Sequence, residues 1–156
     1  MKLKVKILVI SMLICFFVHG STFNLPLKTG WNLTSIPLYS LTVDSFSPYV
    51  PLDMIYKYTS FGYTVEDTIL TSGTGYWVLS LADQIIPLTG TIDSCIDMPR
   101  LETGWNMNGA PFGVISDQNY KAYYSDTSDI GDGIYYFDPV SRHYNEADFI
   151  FNGMGL

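Results

Sequence analysis

The chain has 156 residues, enough for one ordinary domain, and carries fifteen acidic against eight basic residues for a net charge of −7. Three of the basic residues (Lys2, Lys4, Lys6) open the chain, so beyond residue 20 five basic residues face fifteen acidic ones, a net charge of −10. A surface of that sign repels nucleic-acid phosphates and anionic lipid, which argues against both as partners.

The lysines are followed by an apolar run from Ile7 to Val18 and then by His19-Gly20-Ser21. This is the three-part layout of a secretory signal peptide, with cleavage expected after Gly20. The run is too short to span a bilayer comfortably, so the mature chain is expected not to cross the membrane and to be secreted or held at the cell surface. Export would leave a single cysteine, Cys95, which cannot staple a domain and is expected to be buried as a small hydrophobe.

Beyond residue 20 the patterns are those of strands. "TGWNLTSIP" (29–37) alternates side chains after Gly30 and stops at Pro37. "SLTVDSFSPYV" (40–50) offers a helical turn or two, with Ser40 as the expected cap. "MIYKYTSFGYTV" (54–65) predicts two short strands joined by Thr59-Ser60-Phe61-Gly62. "GYWVLSL" (75–81) and "QIIPLTG" (84–90) predict a hairpin closed near Ala82-Asp83. The junction "GTIDSCIDMP" (90–99) is apolar enough to be strand rather than tether.

The order of these segments then returns. "TGWNMNGAP" (103–111) repeats the opening motif 74 positions later, "IYYF" (134–137) answers "IYKY" (55–58), and "NEADFIFNGMG" (145–155) answers "VEDTILTSGTG" (65–75). In this alignment Glu66 matches Glu146, and Gly73 and Gly75 match Gly153 and Gly155. Five or six extra residues are expected between Pro111 and Ile134. The first copy runs on into Tyr76-Trp77-Val78, whereas the second ends at Leu156, so the second copy reads as incomplete and the chain as a fragment of a longer protein. The fold expected is all-β: two pseudo-symmetric copies of a unit of about 75 residues, packed as one sandwich- or barrel-like domain. Residues 21–94 form the first copy and 95–156 the second.

The residues Leu27, Gly30, Trp31, Asn32, Pro37, Gly73, Gly75, Tyr76, Trp77 and Val78, with Leu101, Gly104, Trp105, Asn106, Pro111, Gly153 and Gly155 in the second copy, resemble a repeat module of bacterial and archaeal secreted or cell-surface proteins. The resemblance covers nearly all of the chain beyond residue 20. It implies a module set beside other extracellular domains, with no general catalytic activity.

Among candidate site residues, Trp31 and Trp105 follow glycines at strand starts and are expected to be packed anchors of the sheet. Trp77, Tyr120, Tyr123 and Tyr124 are the candidate platforms for an extracellular glycan, since sugar C–H faces stack on aromatic rings. Asp126, Asp129 and Asp132, with Gly133 behind them, are a candidate calcium loop, although the spacing is not that of an EF-hand; otherwise no cofactor is expected. One histidine beyond residue 20, His143, and one cysteine give neither a hydrolytic nucleophile with its base nor a zinc site. Glu66 and Glu146 read as structural turn residues. Asn32-Leu33-Thr34 fits a glycosylation sequon by coincidence. The function expected is a non-enzymatic structural or adhesive module. A carbohydrate-binding module is the alternative, and a small glycosidase using paired carboxylates a third.

Overall fold

The computed structural model describes residues 20–92, 104–110, 115–116, 133–151 and 153–156. Residues 1–19, Cys95, most of the junction, Pro111, Tyr120, Tyr123, Tyr124, Asp126, Asp129 and Asp132 lie outside the described residues. Within them the protein is all-β, with only two 3-10 turns. No helix among them is long and apolar enough to cross a membrane.

The first half is organised by one long antiparallel ribbon. Ser21–Leu27 (β1) runs on into Gly30–Ser35 (β2), and both face the second arm of the ribbon, which comprises Gly75–Ser80 (β7) and Gln84–Gly90 (β8). Leu27 lies opposite Gln84 and Gly30 opposite Ser80, so residues 28–29 are opposed by the three residues 81–83. The extra residue is a bulge that bends the ribbon between two layers. Gly30 takes the left-handed φ of +103° needed there. The Asp83 carboxylate ties the bend: it accepts hydrogen bonds from Lys28 Nζ at 2.8 Å, Thr29 N at 2.8 Å and Thr29 Oγ1 at 3.0 Å. The lysine first, then the Thr29 amide and hydroxyl, holds the carboxyl down at about 2.

The hairpin expected between residues 75–81 and 84–90 is therefore not formed. Both edges of β7 are already taken, by β2 on one side and by Ile55–Thr59 (β4) on the other. β8 is left to pair with β1. β4 pairs in turn with Gly62–Val65 (β5) around Ser60-Phe61, the turn the sequence predicts, which gives a sheet of order β2-β7-β4-β5. Ser40–Thr42 (β3) pairs with Ile69–Thr71 (β6). The following 3-10 turn, Val43–Phe46, buries Val43 and Phe46; Thr42 rather than Ser40 holds its cap position. Leu25, Leu27, Ile86 and Leu88 from the β1–β8 layer meet Ile55, Tyr76 and Val78 from the larger sheet in one apolar core.

In the second half, Tyr135–Asp138 (β10) pairs with His143–Glu146 (β11), and Ile115–Ser116 (β9) pairs with Phe149–Ile150 (β12). The matched glycines adopt matched backbones: φ is +103° at Gly30 and +102° at Gly104, +78° at Gly73 and +79° at Gly153. Register corrects one alignment made from letters. Glu66 N donates to Ile55 O at 2.8 Å, and the corresponding bond in the second half comes from Ala147 N to Ile134 O at 2.8 Å. Glu66 is buried, accepts from Lys57 at 2.5 Å and caps the Thr68 and Ile69 amides, whereas Glu146 is exposed at the end of β11. The cause is the turn at residues 139–142, two residues longer than Ser60-Phe61, which moves the buried position on by one letter.

The halves are joined backbone to backbone. Ser35 N donates to Gly153 O at 2.9 Å, and Gly109 N donates to Gly73 O at 2.8 Å, so each half gives to the other at matched positions. Thr34 bridges Met154 and Thr74 bridges Asn108 in the same reciprocal manner. Ser35 Oγ, fully buried, donates to Met154 O at 2.9 Å and accepts from Ala110 N at 3.1 Å. The approach is close enough to require glycine. A Cβ on Gly75 would stand 2.8 Å from Asn108 O, and one on Gly155 would stand 2.7 Å from Thr34 N. Gly75→Ala is expected to destabilise the protein by about 1–3 kcal/mol, read from urea unfolding. An unchanged midpoint would show that this contact is not tight.

Candidate functional site

The sheet β2-β7-β4-β5 has two unlike faces, and strand alternation decides what each carries. Asn32, Tyr76, Val78 and Ile55 point into the interior. Trp31, Trp77, Tyr56, Tyr58 and Tyr63 occupy the opposite face, where Tyr56 sits across from Trp77 and Tyr58 across from Tyr63. Their rings meet edge to face: Trp31–Tyr56 at 5.8 Å and 64°, Trp31–Trp77 at 6.5 Å and 89°, Tyr58–Tyr63 at 5.2 Å and 67°. Such contacts fix ring orientation as well as burying area.

The β10–β11 hairpin closes over one side of this face. Phe137 packs on Trp77 at 4.7 Å and on Tyr144 at 5.5 Å. Trp31, Tyr56, Tyr63, Trp77 and Phe137 then line an open groove of about 430 Å³. Among the described residues that line it, none is a carboxylate. Burial in this aromatic surrounding, with the Tyr63 phenol adding to it, raises the Tyr144 hydroxyl above its ordinary value. At the hairpin turn Arg142 has φ +61°, and its guanidinium lies 4.0 Å from where a Cβ on Gly30 would stand. The turn is held by Asp138, whose carboxyl is lowered first by the Ser141 hydroxyl and then by the Val140 amide at 2.9 Å.

The two repeated tryptophans are not internal anchors. Trp31 is 42% exposed and Trp105 75% exposed, whereas the neighbouring Asn32 is 4% exposed. The reason is the alternation of β2, in which the first residue after the glycine falls on the outer face and the asparagine on the inner one. Asn32 is the anchor. It accepts from Lys28 N at 2.9 Å and donates to Lys28 O at 2.8 Å and Gly30 O at 2.9 Å, fixing the bend before the strand. Asn106 makes the matching bond to Gly104 O at 2.9 Å. Because the Asn32 amide is buried and engaged, the sequon letters do not mark a surface acceptor.

Of the other motif residues, Pro37 is fully buried. So is Tyr76, whose hydroxyl accepts from Thr71 N at 2.9 Å. Trp77, the candidate platform that lies within the described residues, is partly exposed in the groove wall. Tyr56, Tyr63 and Phe137 were not singled out by sequence. The signal that could have found them is their place on the Trp77 face of paired strands, which needs the register. His143 is exposed on β11 with Nδ1 2.6 Å from Ser141 O. Among the described residues no three His, Cys, Asp or Glu side chains gather as a metal site.

No protein-family model, curated protein or solved structure matches the chain.

Asn32→Ala is expected to cost about 1–3 kcal/mol, because it leaves the Lys28 amide and two carbonyls without their partner. It should cost more than Trp31→Ala, although the latter removes far more side chain. Thermal or urea unfolding of both variants checks the order. The reverse order would restore the tryptophan as the structural anchor.

Proposed function

We propose that the protein is a non-enzymatic adhesive module acting outside the cytoplasm, and that its aromatic groove binds the C–H face of a sugar ring. The observation that carries this reading is the place of the aromatic residues. Tryptophans that a small fold would otherwise spend on its core are held on an open sheet face, braced edge to face, around a groove of about 430 Å³. A groove of that size suits a small ligand, and braced rings lose little freedom on binding. The lining is almost wholly apolar, as stacking against the C–H face of a sugar requires.

Three sequence features support the same reading. The basic, apolar and small-residue opening fits export, and the acidic surface argues against nucleic acid as the ligand. The Gly-Trp-Asn and Gly-x-Gly-Tyr-Trp-Val pattern resembles a module of secreted and cell-surface proteins, where adhesion and scaffolding are the common tasks. A two-fold arrangement of units 21–94 and 95–156 accounts for the reciprocal seam bonds and the equal glycine φ values.

A glycan array followed by tryptophan-fluorescence titration of the best ligand tests the proposal. Binding is expected, with Trp31→Ala and Trp77→Ala each weakening it roughly tenfold at an unchanged fold by circular dichroism. Silence across the array, or variants that bind as well as the parent, would overturn it.

A further inference from the structure

The rings that line the groove do not lie in one plane. Trp31 and Trp77 stand at 89° to each other, Trp77 and Phe137 at 71°, and Trp31 and Tyr56 at 64°. Neighbouring aromatic rings settle this way because the positive rim of one meets the negative face of the next. Trp31, Trp77 and Tyr56 are supplied by the adjacent strands β2, β7 and β4, and Phe137 is brought to them by β10. A sugar ring can lie flat on one of these walls, but not on both members of any of these pairs. The space between the walls is a corner.

A corner of aromatic walls suits a compact, rounded group that touches more than one ring. A quaternary ammonium group has that shape, and its charge is attracted to the negative face of an aromatic ring within about 6 Å, tryptophan most strongly. It has no N–H, so entry into an almost wholly apolar lining leaves no donor without a partner, as a primary ammonium or a hydroxyl would. The charge of the chain points the same way. Beyond residue 20 five basic residues face fifteen acidic ones, and a field of that sign draws cations. Lys57, the neighbour of Tyr56 in β4, falls on the other face by strand alternation and is ion-paired with Glu66, so its charge does not compete.

We infer, resting on the reading of the groove as a glycan site, that the corner between Trp31, Trp77 and Phe137 takes a quaternary ammonium group carried as a substituent on the glycan. The sugar ring then lies on one wall and its charged substituent enters the corner. Stacking by C–H faces alone discriminates little between neutral and charged sugars, so selectivity comes from the substituent. An N-acetylated sugar brings an amide whose N–H and C=O need partners, and it lacks the charge; its N-trimethylated counterpart brings the charge and no donor.

The test titrates the full chain, read by tryptophan fluorescence, with four probes: choline, its neutral isostere 3,3-dimethylbutan-1-ol, N,N,N-trimethylglucosamine and N-acetylglucosamine. Choline is expected to saturate and to bind roughly tenfold more tightly than the isostere, which has its shape without its charge. The trimethylated sugar should bind roughly tenfold more tightly than the acetylated one, and more tightly than choline. Trp77→Ala should weaken choline binding roughly tenfold, and Trp77→Phe, which keeps a ring face, should recover part of that loss. An isostere that binds as well as choline, or no saturable binding by either cation, would overturn the inference. If the two sugars bind equally, the ammonium site falls and the glycan reading stands. If choline matches the trimethylated sugar and N-acetylglucosamine is silent, the ammonium site is upheld and its glycan carrier is overturned.

Discussion

Two segments of backbone, around Ser35 and Gly75 on one side and around Gly109 and Gly155 on the other, approach each other within direct hydrogen-bonding distance. The remaining structure is arranged around that contact. It brings amides to carbonyls across the two halves, Ser35 to Gly153 and Gly109 to Gly73, where burial would make any unpaired group costly. It also explains why glycines recur at these places. The space is filled by backbone from the other half, and a methyl group at Gly75 or Gly155 would fall inside contact distance.

Holding the halves in this way has a consequence for the surface. The larger sheet spends Ile55, Tyr76 and Val78 on the interior shared with β1 and β8. Its outer face is left with Trp31, Trp77, Tyr56 and Tyr63, and the second half lays β10 and Phe137 against that face without covering it. The groove is thus a by-product of how the two units meet, built on strands rather than loops and braced by ring-on-ring contacts. A rigid aromatic surface of this kind suits the ring-shaped ligand proposed for it.

Much of this order can be read in the sequence, and the misses have definite causes. Strand class, the Thr-Ser-Phe-Gly hairpin and the recurrence of Gly-Trp-Asn are local signals, carried by residues within a few positions of one another. The role of the tryptophan is not local. Size and hydrophobicity place Trp31 in a core, but a strand has two faces, and the pairing of β2 with β7 decides which face is buried. The same limit applies to residues 75–90, where a hairpin is the local expectation and competition for the edges of β7 prevents it. Letter matching paired Glu66 with Glu146, since a longer turn at 139–142 is invisible until hydrogen bonds fix the register. Tyr56, Tyr63 and Phe137 enter the groove from three different strands, a juxtaposition that no spacing in the sequence encodes.

The account rests on the halves forming one cooperative unit through the backbone seam. Amide hydrogen exchange under native conditions measures this directly. Ser35 and Gly109 should exchange as slowly as Val78 and Ile55 in the core, through global unfolding alone, and should respond to added urea with the same slope. If their amides exchanged much faster than the core and with a small slope, the halves would open independently and the seam would not be what organises the fold.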